Sequence, residues 1–205
     1  PGRINIIGEH TDYNNGFVLP AAIDKKVIVG IRKRDDDLIV MYAEAFEEKK
    51  EVKIPEMKPL GDWADYILGV VAQLIKKDYV VGGFEILLTG DIPIGAGLSS
   101  SAAVECATIF ALNELFSFGL EKMEMVQLAQ MAEHEYAGVK CGIMDQFASM
   151  FGKKDHLIKL DCRSLEYEYI PFQNQDYALV LFNSNVKHAL VDSEYNTRRQ
   201  QCEEG

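Results

Sequence analysis

Residues 90–103, GDIPIGAGLSSSAA, form a glycine-rich loop between an apolar strand at 84–88 and a helix-forming run. Gly95 and Gly97 let the backbone turn and come close to a ligand, and the first free N–H groups of the following helix then point at any anion seated there. The hydroxyls of Ser99, Ser100 and Ser101 can cap the helix or reach a metal ion riding on phosphates. No Lys follows the second glycine, and the third glycine of a dinucleotide fingerprint is missing, so neither common phosphate signature is present. The same residues also suit a plain strand-to-helix turn with a serine cap.

Three further clusters could do chemistry. The loop from Gly8 to Gly16 (GEHTDYNNG) places Glu9, His10 and Asp12 between two apolar runs. Carboxylates bind pairs of sugar hydroxyls and an imidazole donates or accepts by tautomer, so the loop suits a polyhydroxylated ligand. A solvated loop with Asx-turns is the alternative, and a metal reading for His10 and Asp12 is weaker because no further histidine or carboxylate cluster stands nearby. Asp145 lies in the apolar stretch CGIMDQF. Desolvation would raise its pKa, whereas a guanidinium such as that of Arg3 would keep it ionised and able to take a proton from a hydroxyl. An acid in the first turn of a helix is also favoured by the helix dipole alone. Glu133, near the end of a helix where the dipole disfavours an acid, fits metal coordination or plain solvent exposure; His134 beside it reads as packing or surface. Glu194 and Arg198, four apart, suit a helix-surface pair, with Tyr195 between them either core or ligand-facing.

The elements that must position these residues follow from periodicity. A short strand covers Ile4, Ile6 and Ile7, and further strands are predicted at 17–23, 27–31, 38–43, 51–54 and 84–88. Trp63, Ile67, Val70, Val71 and Leu74 recur at helical spacing over 62–77, with Asp62 as cap. Helices are predicted at 100–116, 121–136 and from about 142 to 151, strands at 157–160, 165–170 and 178–182, and a last helix from about 193. Strands, then helices, then strands indicate an α+β fold. No internal repeat is visible.

The 205 residues, 48% apolar and 26% charged, are those of an ordinary globular protein. A net charge of −11, from 21 basic and 32 acidic residues, argues against a nucleic-acid surface. Any phosphate would have to be attracted locally, by helix N-termini, a divalent cation or a placed basic residue. No bilayer-length apolar run and no secretory leader are visible, and a cytoplasmic location is expected. Cys106, Cys141, Cys162 and Cys202 are too dispersed for a zinc site or disulfide framework, and are expected reduced, two or three of them in the core. The chain begins inside a motif without an initiating Met and ends inside a helix, so it reads as a fragment.

Taken together, these motifs resemble those of the galactokinases of the GHMP kinase superfamily over nearly the entire chain. The opening GRINIIGEHTDYNNGFVLP resembles the galactokinase signature, GDIPIGAGLSSSAA the second GHMP motif, and AEHEYAGVKCGIMDQFASMFG the segment holding the catalytic aspartate. LIKLDCRSLEYEYIP and NSNVKHALVDSEYNTRRQQCEE continue the likeness. The resemblance implies the mixed sheet and helices of a GHMP N-terminal domain over 1–176, with 177–205 opening a second domain. It implies ATP-dependent phosphorylation of galactose at the anomeric hydroxyl, with Asp145 as base and Arg3 biasing it. Glu9, His10, Asp12, Gly142 and Tyr195 would contact the sugar. Gly95, Ala96, Gly97, Leu98, Ser99, Ser100 and Ser101 would wrap the ATP phosphates, with Ser100 or Ser101 and Glu133 as Mg²⁺ ligands; Trp63 would border the adenine.

The partners implied are galactose and ATP, with no nucleic acid or membrane, for a monomer. The family's third glycine-rich motif does not occur before residue 205, so residues 1–205 alone are expected to have little kinase activity. Rival readings are an N-acetylgalactosamine kinase, against which HTDYN in the sugar loop weighs, and a non-catalytic galactose- and ATP-dependent transcriptional sensor. The intact Ser99-Ser100-Ser101-Ala102-Ala103 stretch weighs against the sensor. An ATP-binding module for another small alcohol survives only if the N-terminal loop faces away from the phosphate site.

Overall fold

Alternating apolar residues build the main sheet of the computed structural model, which describes residues 1–173, 179–183 and 194–204. In chain order the first strands are β1 (Arg3–Asn5), β2 (Phe17–Val18), β3 (Pro20–Ala22), β4 (Val27–Lys33), β5 (Leu38–Ala43) and β6 (Glu48–Lys53). Helix α1 (Asp65–Lys76) and strand β7 (Phe84–Gly90) follow, then α2 (Ser100–Phe116), α3 (Lys122–Ala132) and α4 (Met144–Phe151). Strands β8 (His156–Asp161) and β9 (Tyr167–Pro171) precede α5 (Glu194–Glu204).

The four-stranded sheet has the order β4-β7-β5-β6, parallel only between β5 and β7. Period-2 alternation turns Ile39, Met41 and Ala43 of β5 and Phe84, Ile86 and Leu88 of β7 into the core. Against them pack Ile67, Leu68, Val71 and Leu74 of α1 and Ile109 and Leu112 of α2. A second cluster joins Phe147 and Met144 of α4 to Val18, Ile158 and Leu160 of the β2-β8-β9 sheet. Helix α2 lies between the two clusters, with Ala102 and Ala103 fully or almost fully buried near its N-terminus.

This is the α+β arrangement expected, with five differences in detail. The run at 17–23 is two strands in two sheets: β2 pairs with β8 and β3 with β1, and Leu19 between them donates its N–H to the Ile7 carbonyl. The helix expected over 121–136 stops at Ala132 and continues as a π-helical turn, Glu133–Ala137. Asp62 does not cap α1 itself; its carboxylate takes the Ala64 amide just ahead of the first turn, while Asp65 accepts from the Leu60 and Gly61 amides. Residues 179–182 are not a strand, and residue 178 lies outside the described residues. Ser99 does not cap α2 through its side chain. Cys106, Cys141 and Cys162 are buried and Cys202 exposed, all as free thiols. Among the described residues no helix is long and apolar enough to cross a membrane.

Candidate functional site

Strand β1 delivers Arg3 to the centre of the site. Its guanidinium holds Asp145 through two bonds, Nε to Oδ1 at 2.6 Å and Nη2 to Oδ2 at 2.8 Å. Nη1 donates to the Gly97 carbonyl at 2.8 Å, and the Arg3 backbone N–H donates to the Leu98 carbonyl at 3.1 Å. One arginine thus ties the glycine-rich loop to the first turn of α4. The bidentate geometry fixes the carboxylate plane as well as its charge partner, which a Lys could not do. Both side chains are largely screened from solvent, Arg3 14% and Asp145 23% exposed.

The loop needs its glycines for dihedral reasons: Gly95 and Gly97 sit at φ of 72° and 70°. Ser99, a non-glycine, is also left-handed at φ 56°, and its hydroxyl donates to Asp145 Oδ2 at 2.5 Å. That strain aims the hydroxyl at the acid instead of the helix. The first amides of α2 are therefore left without a side-chain cap, facing the loop as an anion-binding terminus requires.

Glu133 is buried, which overturns the solvent-exposed alternative: the wider π turn rotates it inward. It accepts from Gln146 Nε2 at 2.6 Å, Cys141 Sγ lies 3.4 Å away, and the nearby Ser101 hydroxyl favours its ionised form. Burial, then the charge of Asp145, pushes its pKa up to about 7. Among the described residues no three His, Cys, Asp or Glu side chains are grouped to hold a metal. A hydroxyl and a carboxylate beside an anion-binding helix end nonetheless suit Mg²⁺, which takes few protein oxygens and completes its shell with phosphates and water. His134 is a packing residue, its Nε2 2.7 Å from the Cys141 carbonyl and its pKa lowered by burial.

The polar loop at 8–16 is ordered by its own side chains. Glu9 accepts from Asn5 Nδ2 and from the Gly8 amide, both at 3.2 Å, and the His10 ring meets the Tyr13 hydroxyl. Asp12 is buried, and burial followed by the charge of Asp145 raises its pKa. Gly142 is required by close approach, because a Cβ there would fall 2.0 Å from Asp12 Oδ2. Helix α5 secures this side: Asn196 bonds the Lys140 amide and Gly138 carbonyl, and Arg199 reaches the Lys140 carbonyl and lies over the Tyr13 ring. The side chains of Glu194 and Tyr195 lie outside the described residues, so the expected Glu194–Arg198 pair and the Tyr195 contact do too.

Beyond the loop, an apolar cavity of about 300 Å³ is lined by Phe46, Trp63, Tyr66 and Ile92, and reaches Gly95, Ser100 and Ser101. Trp63 stacks on Phe46 with centroids 6.3 Å apart and donates its indole N–H to Glu48 at 2.6 Å. Trp63 therefore borders a pocket as well as the core.

The structure thus brings Arg3, Asp145, Ser99 and the loop into direct contact, with Glu133 held by Gln146 and close to Ser101, and Asp12 beside Gly142. The reading from sequence missed Ser99 as a partner of Asp145, and missed Gln146 and Glu105 entirely. A signal for Glu105 existed, an acid inside the otherwise apolar start of α2 and one turn after Ser101.

Comparison with known proteins places part of the chain in a family. Residues 65–153 match the GHMP kinases N terminal domain, and residues 1–33 match the galactokinase galactose-binding signature. Residues 65–153 carry a GHMP kinase N-terminal domain. The chain is 52% identical over 204 residues to the galactokinase of Thermotoga petrophila, covering all of this chain and 57% of that protein. To the Pyrococcus furiosus galactokinase it is 45% identical, again covering all of this chain and 57% of the relative. The chain thus spans little more than half the length of the curated relatives it matches. Its fold superimposes on Lactococcus lactis galactokinase complexed with galactose with a TM-score of 0.93 and 41% identity, covering 98% of this chain and 53% of that one. Methanococcus jannaschii mevalonate kinase, 23% identical with a TM-score of 0.70 over 83% of this chain and 54% of its own, shares the fold.

Proposed function

We propose that this chain is the sugar- and nucleotide-binding part of a galactokinase, which transfers the γ-phosphate of ATP to the anomeric hydroxyl of galactose. The observation that carries the reading is the Arg3 clamp, one side chain joining the Asp145 carboxylate to the Gly97 carbonyl of the phosphate-type loop. An acid beside an anion cradle is what an alcohol needs to attack a phosphoryl group. The likeness to galactokinases over the whole chain and the galactose-binding signature at 1–33 support galactose as the alcohol.

In this mechanism Glu9, His10, Asp12, Gly142 and Tyr195 orient the sugar. Asp145 accepts the proton of the anomeric hydroxyl, and Arg3 and Ser99 hold that carboxylate in place. The oxygen attacks the γ-phosphorus in line, and ADP leaves. The segment Gly95 to Ser101 cradles the phosphates with backbone N–H groups, and the Trp63–Phe46 cavity takes the adenine. Ser101, or Ser100 beside it, and Glu133 would hold Mg²⁺, which when bound neutralises charge on the phosphates. Most of the acceleration in such a transfer comes from positioning and charge neutralisation, and the proton acceptor adds about 10²–10⁴-fold.

We read residues 1–176 as the N-terminal domain and 177–205 as the start of a second. Leu179, Val180, Leu181 and Phe182 support this division, because all four are exposed in the described structure and would find cover against further chain. The enzyme is placed in the cytoplasm. The test is galactose-dependent ADP release by the full-length protein in a coupled assay, with N-acetylgalactosamine as the competing substrate. Release with galactose and little with the N-acetyl sugar is expected. Equal or greater release with the N-acetyl sugar would overturn the choice of substrate.

A further inference from the structure

Directly beneath the site lies a hydrogen-bonded group that the mechanism does not use. Gln146, fully buried, donates from one nitrogen to two carboxylates, Glu133 Oε2 at 2.6 Å and Glu105 Oε2 at 3.0 Å. Glu105 is itself fully buried, one turn after Ser101 on α2. Gln146 thus bridges the two acids, and Ser101, one turn before Glu105 on α2, stands close enough to Glu133 to favour its ionised form. Gln146 is also the residue after Asp145. The same backbone segment therefore presents the acid to Arg3 on one side and grips Glu133 on the other.

Stability alone accounts poorly for this group. Glu105 Oε1 and Gln146 Oε1 are both buried without a hydrogen-bond partner among the described residues. Apolar side chains of like volume in a helix core would avoid that cost. What the bridge does achieve is geometric. The two N–H bonds of a planar carboxamide allow Glu133 few orientations relative to Asp145, and Glu105 in turn fixes the carboxamide.

Resting on the galactokinase reading, we propose that Gln146 and Glu105 are positioning residues that brace Glu133 for a divalent cation bound with the nucleotide. Glu105 needs only to accept from Gln146, so its carboxamide equivalent can replace it. Gln146 must donate, so an apolar isostere cannot.

The test titrates Mn²⁺ with a non-hydrolysable ATP analogue against the full-length protein, followed by the paramagnetic signal of the ion, with galactose affinity measured in parallel by calorimetry. Gln146→Met and Glu105→Leu are expected to weaken Mn²⁺ binding by about tenfold or more, the usual effect of losing an outer-shell partner. Galactose affinity should stay at the wild-type level, and Glu105→Gln should restore Mn²⁺ binding. If Glu105→Leu does not fold, Gln146→Met, close to Gln in volume, decides the matter alone. Wild-type Mn²⁺ affinity in Gln146→Met, or no Mn²⁺ binding by the unaltered protein, overturns the brace. If the unaltered protein binds Mn²⁺ with nucleotide but not galactose, the sugar assignment fails while the variants still test the brace.

Discussion

Glu133 carries a charge problem that sets a pH dependence. Buried next to Asp145, it holds its proton up to about pH 7, whereas in the unfolded chain a glutamate releases it near 4.5. Between those values the folded state binds a proton that the unfolded state has lost, so stability falls as pH rises through this window. Glu105 and Asp12, also raised chiefly by burial, act in the same direction, while His134, lowered by burial, acts in the opposite one. Denaturant melts of the ligand-free protein from about pH 4.5 to 7 should therefore show wild-type stability falling relative to that of Glu133→Gln as pH rises. An unchanged slope in the variant would mean that Glu133 is ionised in the fold. At this scale the sequence exposed Asp145, because an acid among apolar residues needs a partner. It left Glu133 ambiguous, because the π turn that buries it has no composition of its own.

At the scale of elements, the close crossing of α1 and the π turn sets where Glu133 stands. Gly69 of α1 faces that turn, and a Cβ there would lie 3.0 Å from the Ala132 carbonyl and from Tyr136 Cβ. Overpacking of this kind costs about 1–3 kcal/mol. Gly69→Val should lower the thermal midpoint correspondingly, and a midpoint equal to wild type would show that the crossing relaxes freely. Helices and strands of clear period were legible: α1 from the spacing of Ile67, Val70, Val71 and Leu74, and β5 and β7 from their alternation. The break at Leu19 was not, since both halves of the run at 17–23 are apolar and only partner strands distant in sequence, β1 and β8, decide which sheet each joins. The serine-cap alternative does not form for a similar reason. Local chemistry favours the helix amides, but a long-range acceptor, Asp145, takes the Ser99 hydroxyl.

Over the whole molecule, three segments far apart in the chain meet at one cleft: the opening strand with its polar loop, the glycine-rich entry to α2, and the start of α4. Arg3 and Asp145 are 142 positions apart, and Ser99 and Asp145 are 46 apart, yet each pair is in hydrogen-bond contact. Spacing within any one motif could hint at chemistry, but only the packing of both hydrophobic clusters brings the motifs together. The most direct measurement is turnover of the full-length Asp145→Asn variant alongside its galactose affinity. Asparagine keeps an oxygen for Arg3 but is not a base, so the account predicts a loss of about 10²–10⁴-fold in turnover with galactose still bound. Turnover at the wild-type rate in that variant would contradict it.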